Sequence, residues 1–247
     1  MITVNDVLNF LNSKYPIEDA CDFDNVGLLV GDGNETVKKV LVCLDADISA
    51  VKEAINVGAN LIVTHHPVIF DALKSVTDGN ILIPIIKGNI SVISMHTNFD
   101  VGVGGVNDIL CSLLPLKNVK KFKASDGYIL NYAETDISDP DLLADKIKKV
   151  LGFSVRYVAG RPIKKLLVCS GSGGNFIGDA VSGGFDALIT ADVKHNHFIE
   201  AINSGISLFD AGHYATENIC VKPLTEMLKK EFPVEVYSYE PDFIKSN

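Results

Sequence analysis

The segment Val37-Lys38-Lys39-Val40-Leu41-Val42-Cys43 occurs a second time, in altered form, as Ile163-Lys164-Lys165-Leu166-Leu167-Val168-Cys169. Carried forward without a gap, this register lays Ala54 on Ala180, Gly58 on Gly184, and Leu61-Ile62-Val63-Thr64 on Ala187-Leu188-Ile189-Thr190. Each copy reads as an apolar strand, a helical segment closed by glycine, and a second apolar strand. Strands joined through a helix run parallel, with a right-handed crossover. The repeat therefore predicts an α/β fold of two similar lobes. Two copies of one unit commonly pack about a pseudo-two-fold axis, so the strand C-terminal ends of both lobes are expected to face a shared metal cleft, where open α/β sheets place ligands.

The rest of the chain fits around this unit. Val4, Val7, Leu8 and Leu11 recur at helical spacing behind Thr3, which predicts an amphipathic first helix over residues 4–14. Residues 22–33 read as a loop and hairpin, residues 79–88 as a helix, and residues 90–95 and 206–209 as strands. Asp139-Pro140 opens a helix that Gly152 closes. Residues 117–127 lose the apolar rhythm and gain lysines, and are read as a junction. The first lobe is then expected over 1–116, with the last C-terminal elements packing onto it, and the second over 128–247.

Leu61–Thr64 runs directly into His65-His66-Pro67, and the strand over 90–95 into His96-Thr97-Asn98-Phe99-Asp100. After a short deletion in the second copy, His96-x-x-x-Asp100 falls on His213-x-x-x-Glu217, while His65-His66 falls on Ala191-Asp192. All six histidines, His195 and His197 included, lie at strand ends or just beyond. Imidazole and carboxylate ligands without thiolates suit Zn, Fe, Mn, Co or Ni. His65, His66, Asp100, His213 and Glu217 supply five ligands, too few to close two ions, so the set points to catalysis rather than to a structural site. Two ions about 3.5–4 Å apart need a bridging carboxylate, and Glu217 is the candidate. His96 is a sixth ligand, a partner of a ligand, a general acid/base or a hydrogen-bonded turn residue.

Ser170-Gly171-Ser172-Gly173-Gly174 reads as a plain turn or as a cradle of backbone N–H groups for a phosphate; it lacks the lysine and spacing of the nucleotide-binding loops. His195 and His197 begin a helix, either solvated or touching substrate.

The formal charge of −9 gives no net attraction to nucleic acid or anionic membranes. No apolar run approaches the ~18 residues of a membrane span, and the start shows no secretory signal. Five cysteines without Cys-x-x-Cys spacing fit a reduced, cytoplasmic protein.

Asp24-Asn25-Val26-Gly27-Leu28-Leu29-Val30-Gly31, Thr64-His65-His66-Pro67, His96-Thr97-Asn98-Phe99-Asp100 and Gly212-His213-x-x-x-Glu217, in this order, resemble the Nif-three-like family, also called the GTP cyclohydrolase 1 type 2 family or dinuclear-metal-centre hexameric proteins. The resemblance spans essentially the whole chain. It implies two divalent ions on His65, His66, Asp100, His213 and Glu217, two α/β lobes without the inserted middle domain of larger members, and a toroidal homohexamer. It also implies a metal-dependent hydrolase that opens the guanine imidazole ring of GTP, with His96 and Glu217 serving the reaction. The rival expectations are a metal carrier and an oligomeric scaffold.

Overall fold

A computed structural model describes residues 1–241 and Phe243. In chain order its elements are α1 (Val4–Lys14), β1 (Gly27–Val30), β2 (Lys39–Cys43), α2 (Ile48–Val57), β3 (Leu61–Thr64), α3 (Leu82–Lys87), β4 (Ser91–Ser94), α4 (Thr97–Val101) and α5 (Val106–Leu113). There follow β5 (Leu116–Lys123), β6 (Ile129–Thr135), α6 (Pro140–Leu151), β7 (Arg156–Val158), β8 (Lys165–Ser172), α7 (Ile177–Ser182), β9 (Ala187–Ala191), α8 (His195–Ser204), β10 (Ser207–Asp210), α9 (His213–Glu217), α10 (Val221–Glu231) and β11 (Glu235–Tyr239). They form two compact units, one of Met1–Gly102 with Cys220–Pro241, the other of Val103–Ile219.

The first unit holds a five-stranded sheet in the order β1-β4-β3-β2-β11, all parallel except β1. The second holds a six-stranded sheet in the order β5-β6-β8-β9-β10-β7, in which β8, β9 and β10 are parallel. The repeat extends to strand register. Val40 pairs with Leu61 and Leu41 with Ile62, while Leu166 pairs with Ala187 and Leu167 with Leu188. An antiparallel edge strand closes the same side of each parallel set, β1 beside β4 and β7 beside β10.

Burial explains why these runs are strands. Leu41, Ile62 and Val92 share one core cluster in the first unit, and Leu166, Val168, Ile189 and Phe209 one in the second, all fully buried. Each such side chain contributes about 1.5–3 kcal/mol relative to its exposed state. The helices are delimited as their termini predict: Thr3 and Asp6 form a capping box on α1, and Gly58, Gly152 and Gly205 end α2, α6 and α8 in the left-handed conformation.

Three expectations change. Residues 117–127 are no junction: β5 and its turn make an edge hairpin with β6, and the lysines lie along an exposed strand. Residues 22–33 form no hairpin, because β1 pairs with β4 rather than with its neighbour in sequence. Ser170, Gly171 and Ser172 continue β8 instead of turning. The end of the range expected for the second lobe, residues 242 and 244–247, lies outside the described residues.

Candidate metal centre

In the first unit, β3 and β4 end side by side and deliver three histidines together. Thr64 donates through its hydroxyl to the Leu44 carbonyl at 2.7 Å, and Ser94 donates to the His65 carbonyl at 2.9 Å, so side chains take over where the strand ladder stops. His65, His66 and His96 then place one ligand-capable nitrogen each within 4.8 Å of one another. Their rings lie 5.1 to 5.6 Å apart between centroids.

Each ring is oriented through Nδ1. His65 Nδ1 donates to the Met95 carbonyl at 2.8 Å, which leaves the lone pair on Nε2, and Nε2 lies 3.6 Å from Asp100 Oδ1. His66 Nδ1 meets Asp45 Oδ1 at 2.7 Å, and His96 Nδ1 meets Asp24 Oδ1 at 2.8 Å. An acceptor on Nδ1 fixes the tautomer and makes Nε2 the more basic ligand, the usual support of a metal-binding imidazole.

Asp24 has a second task. Its other oxygen accepts from the Thr97 backbone N–H at 3.0 Å and from the Thr97 hydroxyl, so one buried carboxylate both orients His96 and caps the start of α4. Burial pushes this carboxyl up, but the bonds from His96 and Thr97 outweigh it and hold the group down at about 2. Along α4 the Asp100 N–H donates to the His96 carbonyl at 3.0 Å, which brings the His96 and Asp100 side chains to one helical face.

The second unit repeats the device with one change. His213 Nδ1 meets Asp192 Oδ2 at 2.7 Å, and Asp192 stands where the repeat register puts His66. The carboxylate that replaced the imidazole thus orients one. His213 Nε2 lies 2.8 Å from Glu217 Oε2, four residues on along α9. An imidazole with a carboxylate at both nitrogens calls for positive charge, a second proton or a metal ion, between its acceptors. Gly171, at φ +58, leaves room for that carboxylate: a β-carbon there would lie 2.0 Å from Glu217 Oε1.

The predicted residues therefore gather in two sets, His65, His66, His96 and Asp100 in one unit and His213 and Glu217 in the other, and the donors fit divalent metal. His195 is exposed, whereas His197 is buried against Gly174 in the second unit, so only the former is a solvated helix start. Asp24 and Asp45 carry functions that the sequence reading did not assign. Asp45 carries a local signal, its position just past the C-terminal end of β2, whereas Asp24 lies ahead of β1 and far in sequence from His96.

Comparison with known proteins places the chain in a family and matches its fold. The model of the Duf34/NIF3 (NGG1p interacting factor 3) family matches residues 2–246. A Clostridium perfringens protein named GTP cyclohydrolase 1 type 2 homolog is 32% identical over 247 residues, covering 94% of each chain. A Helicobacter pylori protein named GTP cyclohydrolase 1 type 2 is 38% identical over 225 residues, covering 88% of each. Among solved structures, a Staphylococcus aureus hypothetical protein superposes with a TM-score of 0.89 at 28% identity, covering 99% of each chain. No helix among the described residues is long and apolar enough to cross a membrane.

Proposed function

The chain belongs to the Duf34/NIF3 family, and on that premise we propose that it is a divalent-metal-dependent hydrolase with the activity for which its relatives are named, hydrolytic opening of the guanine imidazole ring of GTP. His65, His66, Asp100, His213 and Glu217 would hold two ions. The observation that carries this reading is the uniform anchoring of four imidazoles: His65, His66, His96 and His213 each turn Nδ1 to an acceptor, and ligand atoms of the first three lie within 4.8 Å of one another. Histidines in plain structural roles have no reason to share that polarity.

Bound divalent ions supply Lewis acidity, which makes water a competent nucleophile near neutral pH. The chain's own residues do the rest. Water adds to the carbon between the two nitrogens of the imidazole ring, a ring C–N bond breaks, and the departing nitrogen takes a proton. We assign to His96 Nε2 the transfer of that proton, with Asp24 holding the ring through Nδ1. The chain is further proposed to assemble as a homohexamer and to work in the cytoplasm.

The deciding experiment is the metal-to-chain ratio by elemental mass spectrometry, on wild type and Glu217→Ala purified without chelator, followed by GTP turnover. Two ions per wild-type chain, clear loss in the variant and turnover that falls with the metal are expected. A Glu217→Ala protein that turns over GTP at the wild-type rate overturns the mechanism. Metal that passes rapidly to an acceptor without GTP loss would instead mark a carrier, and native mass spectrometry tests the hexamer.

A further inference from the structure

Two phenylalanine rings stand in solvent next to the histidine cluster of the first unit. Phe23 is 68% exposed and Phe70 46%, yet their ring centroids are only 6.3 Å apart, inclined at 51°. Phe70 also presents an edge-to-face contact to His96, with centroids 6.3 Å apart at 81°. Single exposed apolar residues are ordinary, but a paired set joined ring to ring with a candidate catalytic imidazole is not.

The backbones that carry these rings are pinned. Phe23 precedes Asp24, whose side chain is fully buried on His96 and Thr97, and the Asp24 N–H donates to the Cys21 carbonyl at 2.9 Å. The neighbouring Cys21 N–H donates to the Thr97 hydroxyl at 3.0 Å. Phe70 follows Val68 and Ile69, which pack on the core, and the Ile69 carbonyl accepts from Asn25 Nδ2 at 2.6 Å. The chain is thus fixed on the core side of both residues while the rings are left out, an arrangement that preorganises an apolar wall of two inclined rings.

We infer that Phe23 and Phe70 are the substrate-recognition wall of the site, stacking a planar heteroaromatic ring so that it is presented to His96 and the neighbouring metal ligands. This deepens the hydrolase reading and rests on it. The guanine base meets the requirement, since every purine has a π-face that a phenyl ring can cover, and stacking selects for flatness rather than for one hydrogen-bond pattern. The two rings act on binding and positioning and hold no proton.

The chain contains no tryptophan, so Phe70→Trp supplies a single indole inside the wall, excited apart from the tyrosines at the red edge of its absorption. Emission of the metal-loaded variant is expected to be quenched by GTP and by guanosine and unchanged by inorganic tripolyphosphate. Phe23→Leu and Phe70→Leu, which keep apolar volume without a π-face, should each raise the GTP Kd and KM about tenfold, with metal content and native mass unchanged. Equal quenching by tripolyphosphate, or no quenching by either guanine compound while metal is bound, overturns the inference. Leucine variants that change the native mass and leave GTP binding intact overturn it too, since the rings would then be a subunit contact. The two readings fail separately. Guanosine quenching without GTP turnover keeps the wall and removes the hydrolase, whereas unchanged KM in active leucine variants removes the wall alone.

Discussion

The carboxylate of Glu217 occupies the space into which a side chain at residue 171 would project: a β-carbon on Gly171 would lie 2.0 Å from Glu217 Oε1 and 3.4 Å from His213 Nε2. The backbone at Gly171 is also at φ +58, where L-residues are strained by about 1 kcal/mol or more. Gly171→Ala should therefore act mainly on the ligand, because the end of a glutamate side chain yields more readily than a strand. The expected outcome is loss of metal by elemental analysis with a fall in Tm of only about 2–4 °C. A variant that retains full metal would show that Glu217 is no ligand.

Asp45 and Asp192 orient His66 and His213 from the surface, and both carboxylates are more than half exposed. Exposed pairs add little stability, about 0–1 kcal/mol, whereas a carboxylate behind a ligating imidazole is worth about 10–100-fold in metal affinity. Asp45→Ala should thus lose metal to a competing chelator about 10–100 times more readily while its thermal unfolding barely moves. Asp192 lies at φ +51, so Asp192→Asn is the replacement its backbone tolerates, and it should show the smaller loss of the two. Chelator titrations followed by elemental analysis read both.

None of the five cysteines is in a disulfide, and four of them are buried. Burial pushes the Cys43 thiol up, and it pushes Cys111 up to about 11 despite a contact from Asn131. Iodoacetamide on the native protein should therefore label Cys21, the partly exposed one, ahead of the rest. Peptide mass mapping before and after denaturation checks this, and fast labelling of Cys43 or Cys111 in the native state would contradict it.

The parallel strands were legible because they are buried on both faces, so Leu41 to Cys43 and Leu61 to Val63 read as unbroken apolar runs. His96 with Asp100 and His213 with Glu217 were legible as pairs because helical spacing and strand ends are both written locally. β5 was not legible: it is an exposed edge strand, and an irregularity between Lys117 and Lys120, with Asn118 at φ +54, breaks the alternation by which a strand announces itself. Asp24 and Asp45 were missed for another reason. They sit 72 and 21 residues from the histidines they orient, and only sheet pairing brings them there.

Asp186 and Asn60 are equivalent in the repeat, and each ties its own strand start. Asn60 Oδ1 accepts from the Lys38 N–H at 2.8 Å; Asp186 Oδ2 accepts from the N–H groups of Lys164 and Lys165 at 3.0 Å each, and Oδ1 from Arg161 Nε at 2.7 Å. Burial pushes the Asp186 carboxyl up, but the backbone bond from Lys165 and the contacts from Arg161 and Lys164 outweigh it and leave the group below the usual carboxylate range. A carboxyl depressed in the folded state stabilises the fold above its unfolded value of about 3.9, and that contribution disappears as pH falls through the folded value. Asp186→Asn should fold, since the first unit uses Asn60 at this place, yet be about 1–2 kcal/mol less stable than wild type at pH 7. The difference should hold constant from about pH 8 to pH 5 and close below about pH 4. Urea unfolding of both proteins across that range measures it, and a gap that does not narrow as pH falls below about 4 would mean that the charge on Asp186 is not what secures the strand.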